Sequence, residues 1–125
     1  MTFDKKKKAI EAFVSLFGGS YQSLGPNDVS HKIFDKDGSL IAYAEVTVRI
    51  RTIYNAYPLP IEAKRLVKLI DKRLSPVIIW ACEDGIIYGK VNKLKGVIKQ
   101  ENSSINSELM VYYEKEKELK YVRFT

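Results

Sequence analysis

A mixed α/β fold, one β-sheet with flanking helices, is what this chain predicts, and three observations predict it. Apolar residues recur at helical spacing over Ile10, Phe13, Val14 and Phe17, and again over Ala63, Leu66, Val67, Ile70 and Leu74. Apolar and polar residues alternate over 28–34 and 39–51, whereas 77–82 is a continuous apolar run. The second helical stretch stands between strand-like runs, the order expected of a crossover that packs on a sheet. With 125 residues and 46% hydrophobic content the chain can build one core, so residues 1–125 are read as a single domain.

The elements follow in order. Asp4 is placed to cap a first helix, and Gly18-Gly19 ends it. Lys5, Lys6, Lys7 and Lys8 oppose the dipole at that helix start, which implies exposure to solvent or an external anion. After a polar loop through Pro26, the runs 28–34 and 39–51 read as a hairpin about Asp37-Gly38. On the second strand Ala44, Val46, Val48 and Ile50 form one face, and Glu45, Thr47, Arg49 and Arg51 the other. Pro58 and Pro60 close the next loop. The second helix then runs from Ala63 to a last turn holding Lys72 and Arg73, stopped by Ser75-Pro76. Residues 77–82 and 86–91 flank Glu83-Asp84-Gly85 as a second hairpin whose first strand is apolar enough to be central. A turn or short helix at 93–96 and a polar loop at 99–107 precede strands at 109–113 and 119–124.

Composition narrows the function. The net charge of +6 favours a polyanionic partner. The single cysteine, Cys82, lies in the apolar run and reads as a buried thiol of a reducing, cytoplasmic compartment. One histidine and one cysteine leave no zinc-type ligand cluster, so any metal would be a hard, oxygen-bound ion, magnesium or manganese. No apolar run is long enough to span a membrane, and the start of the chain lacks a secretory pattern. His31 alternates with Ser30 and Lys32 and reads as structural. Tyr54 and Tyr57, in the loop after Arg49 and Arg51, are candidate nucleic-acid contacts.

The first hairpin carries the candidate chemistry. Even-numbered loops allow two registers, one with Asp28 opposite Glu45 and one with Ser30 opposite Glu45. Both put Asp28, Ser30 and Lys32 on the face of Glu45, Thr47 and Arg49; an odd-numbered loop would put His31 there instead. Two neighbouring carboxylates repel each other and are relieved by a cation, and a bound divalent ion would stabilise charge on an attacked phosphodiester.

With Pro26-Asn27-Asp28 at the leading acidic position, Glu45-Val46-Thr47 at the second motif, and the order helix, hairpin, helix, strand, the chain resembles the PD-(D/E)xK nuclease superfamily. That group includes Holliday-junction resolvases, restriction endonucleases and phage nucleases, and the resemblance covers residues 10 to 91. It implies a restriction-endonuclease-like core and a DNA-binding endonuclease, a hydrolase in which Asp28 and Glu45 hold Mg2+ or Mn2+. It also implies Glu11 as an additional acid and a homodimer. The chain departs from the motif at Thr47, where a lysine would activate water, because a neutral hydroxyl cannot replace a cationic head. A migrated lysine would restore the set, with Lys32 nearest by hairpin geometry and Lys64 or Lys68 available from the second helix. Arg49 could stabilise phosphate charge but not act as a base. Lys5 to Lys8, Arg51 and Tyr54 complete the expected nucleic-acid contacts. The alternative is a non-catalytic nucleic-acid-binding or protein-assembly module that has lost the catalytic lysine.

Overall fold

Helix α1 (Thr2–Ser15) opens the chain, with Asp4 inside its first turn instead of capping it. Gly18, at a φ of 70°, turns the chain back, and the Gly19 N–H donates to the Val14 carbonyl at 3.0 Å, closing the helix as its glycines predict. The computed structural model describes residues 2–102 and 107–125.

The main sheet is six-stranded. Its order is β1 (Ser20–Ser23), β2 (His31–Phe34), β3 (Leu40–Val48), β5 (Pro76–Ala81), β6 (Gly85–Lys90) and β9 (Lys120–Arg123). All neighbours are antiparallel except β3 and β5, which run parallel and are joined through α2 (Ala63–Asp71). The crossover and the central place of β5 match the sequence reading. A second, three-stranded antiparallel sheet corrects the single-sheet expectation: β4 (Leu59–Glu62), β8 (Ser107–Tyr113) and β7 (Gly96–Asn102). Residues 99–102, read from sequence as loop, belong to β7; the rest of that predicted loop up to 106 lies outside the described residues.

Two cores lie on the two faces of the main sheet. Alternation along β5 sends Val77, Ile79 and Ala81 towards α1, where they meet Ala9, Ile10, Phe13 and Val14. Ile78, Trp80 and Cys82 point the other way, against Ile61 of β4, Leu69 of α2 and Val111 and Tyr113 of β8. The Trp80 Nε1–H donates to the Pro60 carbonyl at 2.8 Å, tying the sheets together. The fold is thus a mixed α/β domain in three layers, α1, the main sheet, and α2 with the small sheet. Among the described residues no helix is long and apolar enough to cross a membrane.

The first hairpin reaches its register by an indirect route. Its loop is odd-numbered: the Asp35 N–H donates to the Ser39 carbonyl at 2.9 Å, with Gly38 at a φ of 84°. By itself that loop would put His31 on the Glu45 face. A bulge corrects it, since Phe34 pairs with Leu40 but Ile33 pairs with Ala42, leaving Ile41 as the extra residue. Ser30 therefore reaches Glu45, as the second of the two even registers requires, and His31 shares the α1-facing side with Ile33.

Candidate functional site

A cleft of about 940 Å³ opens at the carboxyl half of β3. There β3 runs beside its parallel neighbour β5. Lys6 and Lys7 of α1 line one wall; Lys64 and Arg65 of α2 with Met110 of β8 line the opposite one; Asp28, Glu45 and Thr47 are also among its lining residues. Asp28, Glu45 and Thr47, singled out from the sequence, thus meet in one cleft.

The two acids are already occupied. Glu45 is only 4% exposed. Arg65 Nε donates to its Oε2 at 2.8 Å and Arg65 Nη2 to its Oε1 at 2.9 Å, a bidentate pair, while the Ser30 N–H adds a third bond to Oε1 at 3.0 Å. The same Arg65 Nη2 donates to the Asp28 carbonyl at 2.8 Å, so one guanidinium bridges both motif positions. Asp28 lies in the bend before β2 instead of on a strand. Its carboxylate accepts from the Lys72 Nζ and from its neighbour's Val29 N–H, both at 2.7 Å. The bond from Lys72 holds its carboxyl below the usual carboxylate range, and the Lys72 ammonium is raised in return.

These contacts come from one stripe of α2 and its C-cap residue, Lys72. Arg65, Lys68 and Lys72 stand at i, i+3 and i+7, and Lys68 Nζ donates to the Asn27 carbonyl at 3.0 Å. The stripe clamps the 27–28 loop onto the sheet and brings three cations to where the sequence placed one metal ion. Among the described residues no group of three or more His, Cys, Asp and Glu side chains converges as a metal site. Hard divalent ions need several free oxygen ligands, and here both Glu45 oxygens and one Asp28 oxygen are taken by protein donors. As arranged, the residues do not fit Mg2+ or Mn2+.

The other candidates scatter. Glu11 lies outside the cleft lining and accepts a 3.3 Å bond from the Tyr21 hydroxyl. Lys32 also lies outside it. Of the α1 lysines, Lys8 sits 4.3 Å over the Phe124 ring, Lys5 is exposed, and only Lys6 and Lys7 line the cleft. Arg49 is a loop staple, donating from Nε to the Ala56 carbonyl at 2.8 Å and from Nη2 to the Pro58 carbonyl at 3.3 Å. Arg51 and Tyr54 line a separate shallow depression. His31 lines the cleft and is 7% exposed, with no partner for Nδ1; burial, reinforced by Lys6, pushes its pKa down to about 4, so it is neutral near pH 7. Cys82 is buried and its thiol is pushed up to about 12 by that burial, which leaves it unreactive as a nucleophile.

Arg65 and Lys72 are the residues sequence reasoning missed at the acids, whereas Lys68, expected as a candidate migrated lysine, binds the Asn27 carbonyl instead; the seven-residue spacing of Arg65 and Lys72 was the signal available. Comparison with protein-family models, with curated proteins and with solved structures returned no match.

Proposed function

We propose that this chain is a non-catalytic nucleic-acid-binding module on a nuclease-like frame. One observation carries the reading: the bidentate Arg65–Glu45 pair, with Asp28 held by Lys72, supplies from within the protein the positive charge that a metal ion would otherwise bring. The order α1, antiparallel β1-β2-β3, α2 and parallel β5 supports the relation to PD-(D/E)xK enzymes, and Thr47 at the lysine position supports the loss of hydrolysis. A threonine beside a neutralised acid offers neither a base nor a bound water to attack phosphorus.

The remaining charge favours a polyanion. Glu45 is paired with Arg65, Asp28 with Lys72 and Glu62 with Lys64, so the cleft's acids are balanced. Lys6 and Lys7 line its other wall and form no ion pair among the described residues, leaving the cleft with uncompensated positive charge. The +6 net charge adds long-range attraction for a phosphate backbone.

The test is the salt dependence of binding to duplex and single-stranded DNA. Each lysine that neutralises a phosphate contributes a slope of about 1 on the log–log salt plot, so Lys6→Ala with Lys7→Ala lowers the slope by about 2 and weakens every sequence alike. An unchanged slope removes the α1 wall from the interface. Absence of any salt-sensitive DNA binding removes the function.

A further inference from the structure

Among the described residues the most exposed large apolar side chain is Tyr54, 86% accessible, followed by Ile50 at 73%. Both belong to the loop that leaves β3, and that loop is not slack. The Glu83 N–H donates to the Arg51 carbonyl at 2.9 Å, and the Ile53 N–H to Asp84 Oδ1 at 2.8 Å. The Arg49 guanidinium binds the Ala56 and Pro58 carbonyls from the other side. Ile53 and Ala56, on either side of the displayed ring, are buried in the core. The chain therefore fixes this loop at several points while leaving one aromatic ring out in water.

We propose that Tyr54, flanked by Ile50 and Arg51, is a stacking site for an unpaired nucleobase, with the adjoining phosphate against Arg51. A flat ring on a loop already held in place loses little freedom on binding, which is what a stacking platform requires. Every base offers a π-face, whereas paired bases in a duplex keep theirs within the stack, so the site selects single strands without reading sequence. Ile50, Arg51 and Tyr54 share one shallow depression with Glu83, whose negative charge confines the phosphate to the Arg51 side. The proposal rests on the nucleic-acid reading of the cleft and adds to it a preference for unpaired strand.

Fluorescence anisotropy with three labelled probes tests it: a short oligothymidine, an abasic strand of equal length, and a duplex. Wild-type protein binds oligothymidine more tightly than the abasic strand. Tyr54→Ala lowers oligothymidine affinity by about tenfold, the scale of losing one stacked base, and leaves abasic and duplex binding as in wild type. Tyr54→Phe keeps the preference, because the ring and not the hydroxyl stacks. Equal wild-type affinity for oligothymidine and the abasic strand overturns the stacking site alone. So does an unaltered preference in Tyr54→Ala, or a Tyr54→Ala effect confined to association with another protein. If wild type binds none of the three probes, the nucleic-acid reading itself fails.

Discussion

At the scale of single residues, the account turns on Glu45 and Arg65. A carboxylate 4% exposed is tolerable only with a partner that meets both oxygens, and Arg65 does so while Ser30 supplies a third donor. Truncating Arg65 strands that charge. Arg65→Ala is expected to cost about 3–5 kcal/mol in urea unfolding, the usual price of breaking a buried pair from one side. Replacing both partners, Glu45→Leu with Arg65→Met, should recover most of that loss, since no buried charge is left alone. A loss of under 1 kcal/mol for Arg65→Ala would mean that the pair neither neutralises nor positions Glu45. The carboxylate's place was legible in the sequence because β3 alternates cleanly. Its partner was not, because an arginine in an amphipathic helix ordinarily reads as a solvated charge and this one acts across 20 positions of sequence.

At the scale of elements, α2 is rotated partly away from its apolar periodicity. The repeat of Ala63, Leu66, Val67, Ile70 and Leu74 predicts a buried face through Val67 and Ile70, yet these are 64% and 48% exposed. Leu69 is fully buried instead, on the side that carries Arg65 and Lys72. Ala63 and Leu66 of the same repeat still pack against the core, so the helix is turned only far enough to seat Leu69 and to bring three cations to the 27–28 loop and Glu45. Leu69→Ala should cost about 2–5 kcal/mol, whereas Val67→Lys and Ile70→Lys should each stay within about 0.5 kcal/mol, as read by thermal or urea unfolding. The reverse ranking would show the helix docked on its Val67 face. The same lesson covers the strands. Helix α2, both hairpins and the central β5 were legible from periodicity and turn residues. Strand β7 was not, because its described side chains are exposed and no buried face imposes alternation. Strand β4 was hidden by Pro58 and Pro60, and a proline within it is tolerated because β4 is an edge of its sheet. The first hairpin's even-numbered loop was misread, yet one of the two registers read for it, Ser30 opposite Glu45, is reached because the Ile41 bulge restores what the odd loop shifts.

At the scale of the whole molecule, three layers converge on one cleft: α1 brings Lys6 and Lys7, the main sheet brings Glu45 and Thr47, and α2 brings the cations that neutralise the acids. As proposed, this arrangement binds a phosphate backbone and leaves it whole. The most direct measurement incubates the purified protein with supercoiled, linear, branched and single-stranded DNA, in magnesium, in manganese and in EDTA, scoring binding and strand breaks together. Binding that persists in EDTA and needs no divalent ion, with every substrate intact in all three solutions, is the predicted result. Metal-dependent breaks that disappear in Asp28→Ala and Glu45→Ala proteins would contradict it, for they would require Arg65 to give up Glu45 to an ion.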